Sequence, residues 1–513
     1  MTRHARVVEL PVTLPPADGP LHHRVADALI GLLTAGHLRP GDALPSTRAL
    51  AAELAISRTA VLAAYDELAA AGFIQAAPGS STVVSAGADI AARAGVSSHI
   101  PAPQPTPGTS YDTTPGPRWN LVPGYPDTSL ITASHWRAAW RAAALQPVTN
   151  GLIGKSRQIR PLHEALAAHL RRTRGIAASP ADIILVPGVS AGLRALTAAA
   201  NLAGRQVAFE EPGYPEGRRA LQSAGARIRP VPVDGDGLDP AALTLSDAAV
   251  YTTPAHQQPL GGRLSAARRA AVIGWALRAQ ALVIEDDYDG EFRYDVRGLP
   301  ALHSMTHGPD VVAYLGTASK ILSPGLRIAW LIPPAGLREP VRQALDATFD
   351  GINTTAGRAL AQFIISGHLT SHLARAARTY AARRRALITA LRNAAPALQV
   401  TGVDAGLHLV ANLPPGSSET AAQQRLHHAG LAIDVLSQYA TTAITQQALV
   451  CSYALLPETQ ARAAAVVIAS HTPQRRPRTA CTSTSSIMTR LPSPGSSGLA
   501  SRRPGARPAG PVA

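Results

Sequence analysis

The chain has 513 residues, 46% of them hydrophobic and 16% charged. This composition supplies enough apolar side chains for a large core and excludes a mainly disordered protein. The two cysteines, Cys451 and Cys481, exclude a disulfide scaffold or a cysteine-ligated zinc cluster. Residues 1–20 lack the apolar stretch of a signal peptide, and no apolar run is long enough to span a membrane. We therefore expect a soluble, cytoplasmic protein.

The net charge of +15 does not by itself indicate a nucleic-acid site. Seven arginines lie in residues 473–513, which contain no acid, whereas residues 1–85 carry six arginines against seven acids. A DNA-binding interpretation of the N-terminal region must therefore rest on its motifs. Of the 48 basic residues, only Lys155 and Lys320 are lysine, and a lysine amine, unlike a guanidinium, can lose its proton and act as a nucleophile.

Hydrophobic spacing and turn signals divide the chain into five segments. Residues 1–20 form an extension, and residues 21–85 form a compact module. Residues 86–117 are rich in Ala, Gly, Ser and Pro and are expected to be a flexible linker. In residues 118–472 short β runs alternate with helical runs, which predicts an α/β domain with a largely parallel sheet. Residues 473–513 are predicted to be a disordered basic tail.

The first module is predicted to contain three helices and a small hairpin. A helical apolar pattern begins at Leu21, and Ser46 and Ser57 are placed as N-caps of the second and third helices. The order of elements resembles the winged helix-turn-helix of the GntR regulator family. The resemblance rests on Leu44-Pro45-Ser46-Thr47-Arg48-Ala49-Leu50-Ala51 and Ser57-Arg58-Thr59-Ala60-Val61.

That resemblance implies DNA contacts at defined positions. In a helix-turn-helix the second helix enters the major groove with its N-terminal residues foremost. Ser57, Arg58 and Thr59 are therefore expected at the groove, with Arg48 on the preceding helix and Gly79 at the wing tip. A small helical docking module is the alternative interpretation of the motif.

In the α/β domain, two segments at strand ends carry groups suited to a phosphorylated, flat ligand. Val189 and Ser190 open a helix whose backbone N–H groups can hold a phosphate, although an ordinary strand-to-helix turn has the same pattern. Tyr214 stands in the rigid turn Glu211-Pro212-Gly213-Tyr214-Pro215. It is either a packing residue or an aromatic side chain that stacks on a ring.

Two further segments carry acids and an amine. Glu285-Asp286-Asp287-Tyr288-Asp289 follows an apolar strand, where α/β folds place ligands. A metal site and a solvated acidic turn are the alternatives, and we expect no metal because no histidine lies beside these acids in the sequence. Lys320 follows Ser319 at another strand end, with Arg327 seven residues further on. A buried amine in such a place suits Schiff-base chemistry.

Together these groups match what pyridoxal 5′-phosphate (PLP) requires. With Gly124-Tyr125-Pro126-Asp127, Pro254-Ala255-His256-Gln257-Gln258-Pro259 and Gly406-Leu407-His408-Leu409, residues 121–469 resemble a fold-type I aminotransferase domain. The whole chain resembles the MocR-type regulators of the GntR family, which fuse a winged helix to such a domain. The resemblance implies a homodimer. It assigns Lys320 to the aldimine, Asp286 to the pyridinium nitrogen, Tyr288 to the ring oxygen and Tyr214 to stacking on the ring. It further assigns Arg327, Ser319 and the N–H groups of Val189 and Ser190 to the phosphate, and His256 and Gln258 to the ring edge.

Departures from the family pattern leave alternatives open. Ser190 stands where the family has Gln, and Leu260 replaces the Thr of its Pro-Thr-Gly. Residues 448–454 contain no arginine to clamp a substrate carboxylate. We expect a PLP-dependent DNA-binding transcriptional regulator that senses PLP, an amine or an amino acid through Lys320. A true aminotransferase with a vestigial DNA-binding module and a DNA-binding dimer that no longer uses the cofactor are the alternatives.

Overall fold

The computed structural model describes residues 11–14, 19–76, 82–97, 116–147, 159–295 and 300–473. The chain divides between residues 115 and 116 into two compact units. Gly79, Lys155 and the segment after residue 473 lie outside the described residues. Within the described ranges, no helix is both long and apolar enough to cross a membrane.

The first unit contains the three helices and the hairpin that the sequence predicts. Ser46 and Ser57 cap the second and third helices, because their hydroxyls accept the backbone N–H groups of Ala49 and Ala60 at 3.2 Å. The two strands pair antiparallel. The elements are α1 (Leu21–Thr34), α2 (Thr47–Glu53), α3 (Arg58–Ala70), β1 (Ile74–Ala76), β2 (Thr82–Val84) and α4 (Ala88–Ser97).

Helix α4 corrects the predicted start of the linker at residue 86. Ala88 and Ala92 on this helix are buried in the core of the first unit. An Ala-, Gly- and Ser-rich composition favours a linker, but alanine is also the strongest helix former, and its small side chain lets a helix pack closely. The linker prediction therefore applies only to residues after α4.

The second unit is built on a large sheet that confirms the predicted α/β class. The β runs on which that prediction depends are Ile183–Val186, Val207–Phe209, Val250–Thr253, Ala281–Glu285, Val311–Leu315 and Ile328–Ile332. Each forms a strand whose ends lie within two residues of these bounds. After the short strand β3 (Trp119–Asn120), the strands of this sheet are β4 (Ile184–Val186), β5 (Gln206–Glu211), β6 (Arg227–Asp234), β7 (Gly237–Leu238), β8 (Ala249–Thr252), β9 (Leu282–Asp287), β10 (Val312–Thr317) and β11 (Ala329–Ile332).

The sheet is parallel in its centre and antiparallel at its edges. Its strand order is β4-β11-β10-β9-β8-β5-β6-β7. The neighbours from β10 to β6 run parallel, while β11, β4 and β7 join antiparallel. The carboxyl ends of the parallel strands consequently open at one edge, which is where ligands bind in sheets of this kind.

Helices cover the sheet and a smaller sheet follows it. In the smaller sheet the strands follow the order Gln399–Thr401, His408–Asn412, Ala448–Ser452 and Asp434–Val435, and the strand Leu431–Ala432 pairs with β3. The remaining elements are α5 (Ala133–Ala144), α6 (Arg160–Arg174), α7 (Val189–Ala199), α8 (Pro215–Ser223), α9 (Ala266–Ala279), α10 (Gly308–Val311), α11 (Ala318–Ile321), α12 (Arg338–Ala347), α13 (Thr354–Ile365), α14 (His368–Ala394), β12 (Gln399–Thr401), β13 (His408–Asn412), α15 (Glu419–His428), β14 (Leu431–Ala432), β15 (Asp434–Val435), β16 (Ala448–Ser452) and α16 (Ala461–His471).

Candidate functional site

A cavity of about 590 Å³ opens at the carboxyl ends of the parallel strands. It is formed by the strand ends of β9 and β10, the N-termini of α7 and α8, and the small sheet. Nine of the ten residues that the sequence assigns to the cofactor line this one cavity: Val189, Ser190, Tyr214, Gln258, Asp286, Tyr288, Ser319, Lys320 and Arg327. Residues more than a hundred positions apart therefore meet at one place.

Lys320 lies on the short helix α11, directly after strand β10. Its Nζ donates a hydrogen bond to the Gly124 carbonyl at 2.8 Å. Burial lowers the pKa of this amine, and Asp286 and Glu216 partly oppose the shift by favouring the charged form. A lowered pKa increases the fraction of neutral amine, which is the nucleophilic form.

The acidic segment Glu285–Asp289 forms the end of strand β9 and the residues that follow it. Its four carboxylates are buried, so the segment is not a solvated turn. Three of its four carboxylates have partners outside the cavity: Glu285 accepts the N–H groups of Leu302 and His303, Asp287 pairs with Arg174 and Tyr314, and Asp289 contacts His256. Asp286 is the one that lines the cavity.

Asp286 is held from one side only. The Tyr251 hydroxyl donates to its Oδ2 at 2.5 Å, whereas its buried Oδ1 has no hydrogen-bond partner. Burial raises the pKa of Asp286 to about 7, against the lowering effects of Tyr251 and Lys320. A buried carboxylate oxygen without a partner is costly, and a cationic N–H group in the cavity would satisfy it.

The part of the cavity around Gly188 and Arg327 is suited to a phosphate. Gly188 precedes α7 with φ of 111°, and a Cβ at this position would lie 3.4 Å from the Arg327 guanidinium. The guanidinium therefore lies close over the N-terminus of α7, next to the N–H groups of Val189 and Ser190. A helix N-terminus and an arginine together form a strong anion site.

His256 differs from its predicted place at the ring edge. It is not among the residues that line the cavity; its Nδ1 lies 3.0 Å from the Tyr288 hydroxyl and 2.9 Å from Asp289 Oδ2. His256 therefore lies behind Tyr288 and His408, which do line the cavity, with its ring centroid 4.9 Å from that of His408. His408 and Asp289 lie close enough to His256 that the three could hold a metal ion, so distance along the sequence was not a sound reason to dismiss a metal.

Sequence reasoning missed Tyr251, Glu216 and Asp434. Tyr251 is fully buried on β8, and its ring stacks on Phe209 at 4.4 Å between centroids. A tyrosine within an otherwise apolar strand was the available signal, because a buried hydroxyl requires a partner. Glu216 and Asp434 line the cavity from α8 and β15, and no motif marks them.

In the first unit, the described residues predicted to contact DNA lie together on the surface. Arg48, Ser57, Arg58 and Thr59 are all exposed. Arg58 Nε donates to the Thr47 hydroxyl at 3.4 Å, so the Arg58 side chain reaches from the start of α3 to the first residue of α2. The Ser57 hydroxyl caps α3, which leaves the guanidinium groups as the strongest phosphate ligands here.

The fit of these residues to PLP can be judged from the cavity itself. It offers a partly buried amine, a buried carboxylate oxygen without a partner and an anion site, all on the wall of one cavity. PLP carries an aldehyde, a pyridine nitrogen and a phosphate that match them. The fold and the site thus define a PLP-type aminotransferase domain joined to a helix-turn-helix domain.

Comparison with known proteins identifies the same two domains and the family. Residues 21–84 match the model of bacterial regulatory proteins of the gntR family, and residues 124–468 match aminotransferase class I and II. The pyridoxine biosynthesis transcriptional regulator PdxR of Corynebacterium glutamicum is 34% identical over 84% of this chain and 92% of its own. The probable rhizopine catabolism regulatory protein MocR of Rhizobium meliloti is 30% identical over 85% of this chain and 91% of its own length. The chain therefore belongs to the MocR-type regulators of the GntR family.

Solved structures support the fold of the second unit. An archaeal alanine:glyoxylate aminotransferase superposes with a TM-score of 0.64 at 24% identity, covering 69% of this chain and 90% of the other. A multiple substrate aminotransferase from Thermococcus profundus superposes with a TM-score of 0.62 at 23% identity, covering 69% of this chain and 90% of the other. These likenesses concern the fold alone.

Proposed function

We propose that this regulator controls transcription through the PLP site, with Lys320 holding the cofactor and the first unit binding DNA. The observation that carries the proposal is the cavity that Lys320 and Asp286 both line, in which Asp286 Oδ1 is a buried acceptor without a partner. PLP supplies an aldehyde that condenses with amines. The chain's own residues would orient it: Asp286 at the ring nitrogen, Tyr288 at the ring oxygen, Gln258 at the ring edge, Tyr214 on the ring face and Arg327 with Ser319 at the phosphate.

We further propose that the bound effector is a small amine or amino acid, and that the active species is a cytoplasmic homodimer. An effector changes DNA binding only if it binds two conformations of the protein with different affinity. Two winged helices in a dimer would read two half-sites, and their spacing is the property that such a conformational change alters.

Regulation is favoured over turnover by the cations that line the cavity. Among the described residues these are Lys320, Arg327 and Arg219. Arg327 belongs to the proposed phosphate site, and Arg219 Nη2 is paired with Glu216 Oε1 at 2.5 Å. The buried strand β16 lies in the region that matches the one where aminotransferases hold the substrate carboxylate, and none of its residues is a cation.

Transamination is the second candidate, and the intact pair of Lys320 and Asp286 supports it. Product formation from alanine or glutamate with a keto acid acceptor, at a rate that Lys320→Ala abolishes, would favour this alternative. DNA binding that is independent of PLP would favour the other alternative, a DNA-binding dimer that no longer uses the cofactor.

The proposal is tested on the full chain by absorption spectroscopy and DNA mobility shift, each with and without PLP. Wild type is expected to show the visible band of lysine-linked PLP and to change its DNA affinity when PLP is added. Lys320→Ala should lose the band, and Lys155→Ala, a change at the only other lysine, should retain it. Retention of the band in Lys320→Ala would refute the assignment of Lys320.

A further inference from the structure

Two acidic side chains that line the cavity are not used by the proposed cofactor site. Glu216 lies in the first turn of α8 and Asp434 on strand β15, and both line the same cavity as Lys320. The Glu216 carboxylate is close enough to raise the pKa of both Lys320 and Asp434 by its charge. The three groups therefore share one electrostatic environment.

The charges of the cavity do not balance once the cofactor is assigned its partners. Three cationic and three acidic side chains line the cavity within the described part of the chain. In the proposed cofactor site, Lys320 pairs with the PLP aldehyde, Asp286 with the ring nitrogen and Arg327 with the phosphate, which accounts for two of the cations and one of the acids. Glu216 and Asp434 then remain against Arg219, so the remaining groups have one more carboxylate than cations.

Asp434 is fixed in place rather than free to turn away. Its Oδ2 accepts a hydrogen bond from the Tyr439 hydroxyl at 2.7 Å, and Tyr439 also lines the cavity. Asp434 is only partly exposed, and burial is the main reason that its pKa is raised, with Glu216 adding to the shift. Glu216 is already paired with Arg219 at 2.5 Å, so Asp434 is the acid that has no cationic partner among the described groups that line the cavity, and a bound cation would supply one.

From the cavity, we propose that the effector carries a second cationic group and is a diamine or polyamine. One primary amine faces the cofactor at Lys320, and the other ammonium lies between Glu216 and Asp434. An effector with a carboxylate in place of that second ammonium would be repelled by the carboxylates of Glu216 and Asp434. This inference rests on the proposed function, because the effector must share the cavity with the cofactor.

The test compares three ligands of one chain length on the PLP-loaded full protein. Putrescine has an ammonium at both ends, γ-aminobutyrate has a carboxylate at the far end, and n-butylamine has a methyl group there. Titration calorimetry and the change in the visible band give the affinities. Because charge-assisted contacts are the stronger hydrogen bonds, we expect putrescine to bind about tenfold more tightly than the other two.

Variants then locate the preference. Glu216→Gln and Asp434→Asn are each expected to weaken putrescine binding about tenfold more than they weaken n-butylamine binding. Glu339→Gln removes an exposed acid on α12, outside the cavity, and is the control with no expected effect. Glu216 is half exposed, so its replacement is not expected to disturb folding.

The outcomes separate this inference from the proposed function. Binding of γ-aminobutyrate or n-butylamine as tightly as putrescine, or putrescine affinity unchanged in both variants, would overturn the inference. The proposed function stands or falls on whether the visible band depends on Lys320. If that band is absent, calorimetry still reports whether the cavity prefers the dication.

Discussion

Removal of the Tyr251 hydroxyl should change how cofactor binding depends on pH. Tyr251→Phe deletes the donor that contacts Asp286 Oδ2 at 2.5 Å, and a phenylalanine keeps the stack on Phe209. Asp286 can pair with a protonated ring nitrogen only as a carboxylate. Cofactor affinity is therefore expected to rise with pH through the pKa of Asp286, which is about 7 in the cofactor-free chain.

The size of the effect follows from the hydrogen bond. A bond to a charged group contributes about 1.5 kcal/mol, which corresponds to a rise of about one unit in the pKa of Asp286. At about pH 7 the ionised fraction then falls from about one half to about one tenth, and cofactor affinity falls about fivefold. At about pH 9 both proteins are mostly ionised, so the difference should nearly vanish.

The measurement is the dissociation constant of PLP, obtained from the visible band at several pH values. Tyr314→Phe is the matched control, because the Tyr314 hydroxyl bonds Asp287 at 2.7 Å in the same way, while Asp287 does not line the cavity. The control should lose stability but keep the wild-type pH profile. A loss of affinity in Tyr251→Phe that is equal at every pH would refute the reasoning.

Three further variants test other parts of the chain. Arg58→Ala should weaken binding to the DNA beside its own gene and lower the salt slope by about one, measured by fluorescence anisotropy; unchanged binding would contradict the groove placement. Arg174→Met leaves the buried Asp287 carboxylate without its cationic partner and should lower the free energy of unfolding, measured in urea, by about 3–5 kcal/mol. A second change, Asp287→Leu, should largely reverse this loss. Gly188→Ala should weaken PLP binding, since its Cβ would press on Arg327 from a strained backbone, whereas Gly336→Ala, with open space around it, should not.

The parts of the site that the sequence predicts are those set by strand ends. Asp286, Lys320 and Tyr214 each follow a short apolar run, and runs of this kind form parallel strands whose carboxyl ends meet. Once the strands are recognised, the meeting of these side chains follows from the topology. The prediction needs no knowledge of side-chain conformation.

Contacts between side chains at unrelated positions could not be predicted in the same way. His256 and Asp289 are 33 residues apart, and their bond at 2.9 Å depends on how one loop packs on another. Gly406 illustrates how tight that packing is, because a Cβ there would lie 2.2 Å from His256 Nδ1. Local sequence patterns carry no information about such a fit, whereas a buried hydroxyl such as that of Tyr251 at least signals that a partner exists.

The position of the two acidic side chains also bears on how an effector would act. Glu216 belongs to α8, which packs on the large sheet, while Asp434 belongs to β15 of the smaller sheet. A dication that contacts both stabilises the arrangement in which the two elements lie close together, and it gains nothing from an arrangement in which they are apart. This difference in affinity is what coupling between two sites requires, and a tenfold difference corresponds to about 1.4 kcal/mol. A monoamine reaches Lys320 without touching either carboxylate, so it should bind both arrangements equally and leave DNA affinity unchanged.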